Sequence, residues 1–371
     1  MTTIKTDRLY WIDWLRFLAS FIVVLCHLRS SHYVEYGSLE SNSKNTFIFM
    51  FFASTRLGYE AVVMFFALSG ILVGGKLIEK SMSGKLIISN YFIDRFFRIY
   101  VPYVPILVLS GLMSVEKIDF KNLSINLLGL QGIFGVVFSG NGSLWTLSYE
   151  IWFYVLAGSM SSLVFLNSKK TFKSLQIIAF FIAVSLYTKL DSTFLFCFII
   201  GSVLNFLKIN TKYSRTALIY SLLFSILLAI LSQLASDSIS LNYDFYKQFL
   251  PTRKNATILM CFSFCVLIKS LSCSIPSNTL YCAIEKLGSN LASFSYTLYL
   301  CHLPVIYFLS STTLFPSDKF DVVSPYSVYL FILKLIIVIF VSIVLYFAFE
   351  RNTLYLKNKF KLLFTYKYNS L

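Results

Sequence analysis

The sequence predicts an all-α protein, a polytopic membrane bundle of about ten transmembrane helices. Of its 371 residues, 57% are hydrophobic and only 13% are charged, whereas a soluble domain carries about 25% charged residues. Apolar runs follow one another along the chain, each close to the roughly 20 residues that a helix needs to cross a bilayer. A single membrane domain is therefore expected over residues 1–371, with a short cytoplasmic tail at 350–371.

Ten spans are predicted from the apolar runs, and polar or basic segments separate them. The run at 46–53 is too short to span, so it is expected to be a re-entrant or interfacial piece. The predicted spans cover residues 11–29, 59–76, 99–115, 143–165, 174–188, 192–207, 216–235, 255–273, 290–309 and 326–349.

The distribution of Lys and Arg sets the expected orientation. With both termini in the cytoplasm, the inner segments hold about twice as many Lys and Arg residues as the outer loops, as the positive-inside rule requires. The formal net charge of +15 is therefore assigned to membrane topology, and no nucleic-acid partner is expected. The seven Cys residues lack a metal-ligand spacing, so no metal is expected either.

The first span contains two ionisable residues that apolar helices normally exclude, Arg16 and His27. Their spacing is close to three helical turns, so they share a helix face and are separated by roughly 16 Å along the axis. Ionisable groups inside a membrane usually face a protein interior or a water-filled path and mark a functional site. The alternative is an Arg that snorkels to the membrane surface and a His that packs structurally.

Two further ionisable residues fall at the expected depth of His27, in the outer half of the bundle. Glu150 lies about 10 Å below the outer surface in the fourth span, and His302 lies about three turns from the inner surface in the ninth. Tyr299 precedes His302 by three residues and shares its face. A carboxylate and two imidazoles at one level predict a polar site. Trp145, at the outer entry of the fourth span, would line an acceptor site or anchor the interface.

A second group lies on the inner side, before the third predicted span. Arg95 and Arg98 stand three residues apart at the expected cytoplasmic mouth, and a guanidinium suits phosphate because it presents a fixed fork of donors. A positive-inside anchor is the alternative for both. Ser69 and Gly70 either contribute to this inner site or only let neighbouring helices approach closely.

Five stretches, in this order, resemble the acyltransferase 3 family of integral membrane acyltransferases. The resemblance covers residues 8 to about 350, and its most specific elements are the spacing from Arg16 to His27 and the SLWTLSYE stretch. The sequence departs from the family at Ile71, where an aromatic residue is common, and at 350–352, which lacks the usual Pro. The five stretches are IDWLRFLA, GYEAVVMFFALSGILV, YFIDRFFRIYVP, SLWTLSYEIWFY and SYTLYLCHLPVI.

The resemblance implies an enzyme that takes an acyl group, expected to be acetyl, from cytoplasmic acetyl-CoA and delivers it to a hydroxyl of an extracytoplasmic glycan. It implies a bacterial inner-membrane protein whose partners are the lipid bilayer, acyl-CoA and a surface polysaccharide, such as O-antigen or capsule, or a lipid-linked sugar; an oligomer is left open. The roles it implies are catalysis by His27 with Arg16 and Glu150, CoA binding by Arg95, Arg98, Ser69 and Gly70, and acceptor binding by Trp145, Tyr299 and His302.

This chemistry needs a base for the hydroxyl proton, for which His27 is suited, and a grip for the CoA phosphates, for which the arginines are suited. Direct transfer and a relay through an acyl-histidine both remain open. A proton-coupled transporter or flippase is the alternative class, because His and Glu in a bundle also suit proton coupling. Residues 1–185 and 186–371 show no self-similarity of the kind that transporter repeats produce. A purely structural scaffold is disfavoured, because charges are costly in hydrocarbon.

Overall fold

The computed structural model of the chain describes residues 10–114, 119–165, 170–234, 252–272, 279–316 and 318–368. Helices are the regular elements of these residues, which contain no β-strand, and this confirms the predicted all-helical class. Some of the basic residues counted for the predicted orientation lie outside the described residues: Lys5, Arg8 and Lys169 of the inner segments, and Lys117 and Lys247 of the outer loops. The ends of three predicted spans, at 115, 235 and 273, and residues 369–371 of the tail lie outside them as well.

The described helices are numbered in chain order, and short 3₁₀ turns lie between some of them. They are α1 (Tyr10–His32), α2 (Thr46–Ser54), α3 (Gly58–Ser69), α4 (Lys76–Met82), α5 (Ile88–Met113), α6 (Phe120–Leu127), α7 (Trp145–Phe165), α8 (Lys170–Tyr187), α9 (Ser192–Leu204), α10 (Ser214–Leu234), α11 (Arg253–Ser272), α12 (Thr279–Ser293), α13 (Ser295–Ser311), α14 (Pro325–Ala348) and α15 (Thr353–Tyr368). A π-helical segment, Gly70–Gly75, joins α3 to α4.

The chain divides into two compact units. The first comprises Met1–Ala19, Tyr59–Lys80 and Asp191–Ser293, and the second comprises Ser20–Gly58, Ser81–Leu190 and Phe294–Leu371.

The first unit is built on close helix contacts that small residues allow. Helix α11 packs against α10 and α9, and α9 packs against the π-helical segment. A Cβ atom added at Gly70 would meet the backbone of Phe198 and Gly201 on α9, and one added at Gly74 would meet the side chain of Ser202. Glycine and serine at such a crossing let two backbones approach, which is the usual basis of helix association in membranes.

The second unit packs α13 against α14 and α5, α7 against α8 and α5, and α15 against α5. The loop that leads into α7 enters this packing through Asn141, which is fully buried. Its side-chain amide donates to the Oγ of Ser110 (3.2 Å) and to the carbonyl oxygen of Leu300 (3.0 Å). That carbonyl is left without its usual helical donor because Pro304, four residues later, has no backbone N–H. The loop therefore fixes the start of α7 against the middle of α13.

The lengths and apolar character of the helices identify a multi-pass membrane protein. Among the described residues, six helical stretches are long and apolar enough to cross a bilayer, and the pair α12 and α13, bent by 47°, would add a seventh. Two shorter apolar helices lie at 172–187 and 192–204. The count of ten spans and the cytoplasmic placement of both termini stay predictions. The six stretches are Trp11–His32, Thr46–Met82, Ile88–Met113, Ser214–Leu234, Arg253–Leu271 and Pro325–Leu363.

One helix begins well before its predicted span. Helix α5 starts at Ile88 and not near residue 99, because the stretch rich in polar and basic residues continues the same helix as the apolar run after it. Arg95 and Arg98 therefore lie roughly 10 and 15 Å along α5 at 1.5 Å per residue. They are inside the same helix as the predicted span.

Candidate active site

Two imidazoles meet inside the second unit, His27 from α1 and His302 from α13. Their ring centroids are 5.3 Å apart, and the ring planes are tilted by 33°. His27 is half-buried, whereas His302 is fully buried. The structure thus brings together two residues that the sequence analysis placed at one depth, and the more accessible of the two is His27.

The hydrogen bonds of His302 define which of its nitrogens carries a proton. Its Nδ1 lies 2.7 Å from the carbonyl oxygen of Tyr299 and 3.2 Å from that of Leu298. Carbonyl oxygens only accept, so Nδ1 donates and, in a neutral ring, Nε2 holds the lone pair. This Nε2 is buried and has no hydrogen-bond partner among the described residues.

Tyr299 faces the same region, but its hydroxyl is already engaged. The hydroxyl donates to the carbonyl oxygen of Ser143 (3.1 Å) and shares a hydrogen bond with Thr146 (2.8 Å). These contacts hold the start of α7 against α13. Acceptor binding by Tyr299 stays a prediction, and the geometry adds a role in positioning α7.

Glu150 lies on α7 and contacts a tyrosine one turn further along. The hydroxyl of Tyr154 donates to its Oε1 at 2.6 Å, and electrostatic attraction also connects Glu150 with Arg98. In the part of the chain that the structure describes, no hydrogen bond or ion pair joins Glu150 to His27. The carboxylate is therefore associated with Tyr154 and with Arg98 of α5, and no described hydrogen bond or ion pair joins it to the imidazole at its predicted depth.

Arg98 is held by a carboxylate that the sequence analysis did not consider as its partner. Its Nη1 lies 2.7 Å from Oε1 of Glu350, a side chain that is only 2% exposed. Glu350 also accepts hydrogen bonds from the backbone N–H (3.2 Å) and the hydroxyl (2.6 Å) of Thr297. The ring of Tyr296 lies beside the guanidinium, 5.4 Å from its Cζ. The signal for this partner was present, because Glu350 directly follows the apolar run of α14, where a carboxylate needs a counter-charge.

Arg95 has a different environment. Its Cζ lies 5.5 Å from the ring centroid of Tyr154, and its buried Nε has no hydrogen-bond partner among the described residues. The neighbouring Asp94 is engaged elsewhere, because Lys357 (3.2 Å) and Lys361 (3.5 Å) of α15 both pair with it. Arg95 is therefore the guanidinium of this pair whose charge the described carboxylates leave open for a ligand.

The remaining predicted site residues are Trp145, Arg16, Ser69 and Gly70. Trp145 begins α7 and packs edge-to-face on Tyr149, with ring centroids 5.4 Å apart. Arg16 shares α1 with His27, as predicted, and is half-buried. Ser69 and Gly70 stand where α3 passes into the π-helical segment, and the close contact of Gly70 with α9 supports the packing alternative. Their predicted roles in binding and catalysis are not tested by these contacts.

The second unit thus contains a half-buried and a buried imidazole in contact, a carboxylate, and an arginine whose charge the described carboxylates leave open. Residues 9–351 match the family model of the acyltransferase domain named acyltransferase 3. The chain therefore belongs to the acyltransferase 3 family, as its motifs predicted, and is a membrane acyltransferase. No curated protein and no solved structure matches the chain.

Proposed function

We propose that this acyltransferase moves an acetyl group from cytoplasmic acetyl-CoA to a sugar hydroxyl of an extracytoplasmic glycan, in a bacterial inner membrane with both termini in the cytoplasm. The observation that supports the proposal is the contact between His27 and His302 within the unit that also holds Arg95. A base and an anion-binding group are the two parts that transfer from a CoA thioester to a hydroxyl requires.

The proposed chemistry uses His27 as a general base. The acceptor oxygen attacks the thioester carbonyl carbon while a ring nitrogen of His27 takes the hydroxyl proton. The new carbon–oxygen bond forms, the carbon–sulfur bond breaks, and the leaving CoA sulfur takes the proton from His27. In the alternative relay, a ring nitrogen of His27 attacks the thioester carbonyl carbon, the carbon–sulfur bond breaks, and CoA leaves as its thiol with the proton of that imidazole. The acceptor hydroxyl then attacks the acyl-histidine, and His27 leaves with the hydroxyl proton. Both versions place His27 at the reacting carbonyl.

Binding of the CoA phosphates is proposed to depend mainly on Arg95. A guanidinium can hold two phosphate oxygens at once, and its weak hydration makes it suitable for a partly buried site. Arg98 is already neutralised by Glu350, so its proposed share in CoA binding is smaller. Glu150, bound to Tyr154 and attracted by Arg98, is proposed to keep this positive region balanced before CoA enters.

The test is acetyl transfer by purified protein in lipid nanodiscs, with labelled acetyl-CoA and glycan acceptors. His27→Ala should lower the transfer rate by about 10²–10⁴, the usual contribution of a general base. The matched control is His32→Ala, because His32 lies on the same helix but is buried, with its Nε2 2.8 Å from the carbonyl oxygen of Ser327. This control should keep the transfer rate per folded molecule.

Two further measurements separate the alternatives. Rapid-quench mass spectrometry without an acceptor should find label on His27 if the relay operates, and free acetyl-CoA only if transfer is direct. Mass spectrometry of surface glycans with and without the gene identifies the acceptor. A His27→Ala protein that keeps more than about a tenth of the activity, well above the remainder expected after loss of a general base, would remove His27 from the mechanism. Solute movement without consumption of acetyl-CoA would favour the transporter.

A further inference from the structure

We infer that His302 is a positioning residue for His27: its Nε2 lone pair accepts a hydrogen bond from a ring N–H of His27, and this fixes which His27 nitrogen faces the reacting hydroxyl. The inference deepens the proposed function and rests on it, since it takes His27 as the base. It replaces the predicted role of His302 in binding the acceptor.

The first step is that the orientation of His302 is set by its own helix. Its Nδ1–H is shared by the carbonyl oxygens of Leu298 and Tyr299 in the preceding turn of α13. A ring held at Nδ1 has one proton position left to vary, and in the neutral ring Nε2 is an acceptor. The tautomer is thus specified by the backbone and not by a ligand.

The second step is that Nε2 of His302 lies away from bulk solvent. His302 is 0% exposed, and its Nε2 is buried without a hydrogen-bond partner in the described part of the chain. A buried acceptor that is left without a hydrogen bond is costly, so a protein donor close by is strongly favoured. The candidates are the groups whose rings surround this imidazole.

The third step identifies that donor. The ring of Tyr299 is 6.0 Å away, but its hydroxyl is committed to Ser143 and Thr146. The ring of His27 is closer, at 5.3 Å. The terminal torsion of a histidine is broad and roughly two-fold, so a rotation of the half-buried His27 ring brings one of its nitrogens towards Nε2. His27 is therefore the donor that the described residues supply.

The consequence concerns the other nitrogen of His27. When one ring N–H points at His302, the second nitrogen carries the lone pair and is the one that faces the acceptor hydroxyl. After it takes the proton, both His27 nitrogens donate, and His302 accepts one of these bonds. This is the orienting task that a carboxylate performs in serine hydrolases. A neutral imidazole performs it here, since no carboxylate contacts His27 among the described residues.

Two near-isosteric variants test the role through transfer kinetics. His302→Asn keeps an amide N–H at the position from which Nδ1 donates to Tyr299, but it has no acceptor at the position of Nε2. His302→Gln places an amide oxygen, which can accept, near the position of Nε2. We expect His302→Asn to lower kcat about 10²-fold, less than the roughly 10⁴-fold loss seen when a triad carboxylate is replaced. KM for acetyl-CoA and acceptor should stay unchanged, and His302→Gln should remain within about tenfold of wild type. Equal losses in both variants, or a loss that appears only in KM, would overturn the inference.

A spectroscopic readout does not depend on transfer at all. The chain has only three His residues, so protein labelled with ¹⁵N-histidine gives three imidazoles, and His32→Asn assigns the signal of His32. In wild type, Nε2 of His302 should be unprotonated and hydrogen-bonded, with a nitrogen–nitrogen coupling to His27. In His302→Asn, His27 should become a mixture of tautomers, whereas His32 should not change.

These outcomes separate the two proposals. A free, uncoupled Nε2 in the wild-type spectrum would overturn the inference even if every variant failed to fold. Coupled imidazoles together with full activity of His27→Ala would leave the hydrogen bond in place and refute the proposed role of His27 as the base.

Discussion

The ion pair between Arg98 and Glu350 gives the sharpest prediction for stability. Arg98→Ala would leave the Glu350 carboxylate, which is 2% exposed, with the N–H and hydroxyl of Thr297 as its donors among the described residues. Breaking a buried pair by removing one partner costs about 3–5 kcal/mol. The side chain of Arg98 is 36% exposed, so the pair is only partly buried and the lower end, about 3 kcal/mol, is expected. That is a large part of the roughly 5–15 kcal/mol that stabilises a typical folded protein.

The assay is a double-mutant cycle on thermal unfolding in one detergent, with Arg98→Ala, Glu350→Gln and the double variant. Glu350→Gln keeps an oxygen for Thr297 but removes the charge, so Arg98→Ala should cost far less in that background. A coupling of about 2 kcal/mol is expected, within the range for residues in direct contact. Additive effects, or an Arg98→Ala protein as stable as wild type, would refute the reasoning. In that case Arg98 would be a surface anchor, and its contact with Glu350 would contribute nothing measurable to the free energy of unfolding.

Three further predictions follow from the same structure. Arg95→Ala should raise the Kd for acetyl-CoA, measured by calorimetry, about tenfold or more, because a charged hydrogen bond contributes roughly 1.5–3 kcal/mol. Arg95→Lys should restore only part of the affinity, because lysine lacks the forked donors of a guanidinium. Unchanged affinity in Arg95→Ala would make Arg95 a membrane anchor. Gly70→Ala should sharply lower the yield of folded protein in fluorescence-detected size exclusion, because its Cβ would meet the backbone of α9, whereas Gly37→Ala, with open space around it, should not. Reporter fusions should read outside at Lys44 and inside at Lys361, and an outside signal at Lys361 would contradict the predicted orientation.

The sequence predicted most successfully what depends on the helical repeat and on hydropathy. The helical class follows from apolar runs that satisfy their backbone hydrogen bonds internally, as a membrane requires. The contact between His27 and His302 agrees with a depth estimate at 1.5 Å per residue, since both helices are long and regular. Depth alone did not predict the surroundings of Glu150. Two helices at the same level can turn different faces to each other, and Glu150 is associated with Tyr154 and Arg98.

Other features depend on which residues meet in the folded protein, and the sequence alone does not show which of several possible partners a residue contacts. Glu350 was visible as a carboxylate after the last apolar run, but nothing in the sequence selects Arg98 as its partner across 252 residues. The apolar run predicted a membrane span from residue 99, but it did not show that the helix itself begins at Ile88, because the stretch before the run contains polar and charged residues such as Asp94. The sequence also did not show that lysines of α15 pair with Asp94, because the C-terminal segment read only as a basic tail.

The π-helical segment Gly70–Gly75 has a consequence for natural length variation. Its hydrogen bonds close over one more residue than those of an α-helix, so the segment holds a residue that a plain α-helix would not need. Deleting one residue there would restore the α-helical repeat and leave the direction of α4 relative to α3 largely unchanged, because the π-helical segment absorbs the extra residue. Insertions and deletions among relatives should therefore concentrate between Ser69 and Lys76.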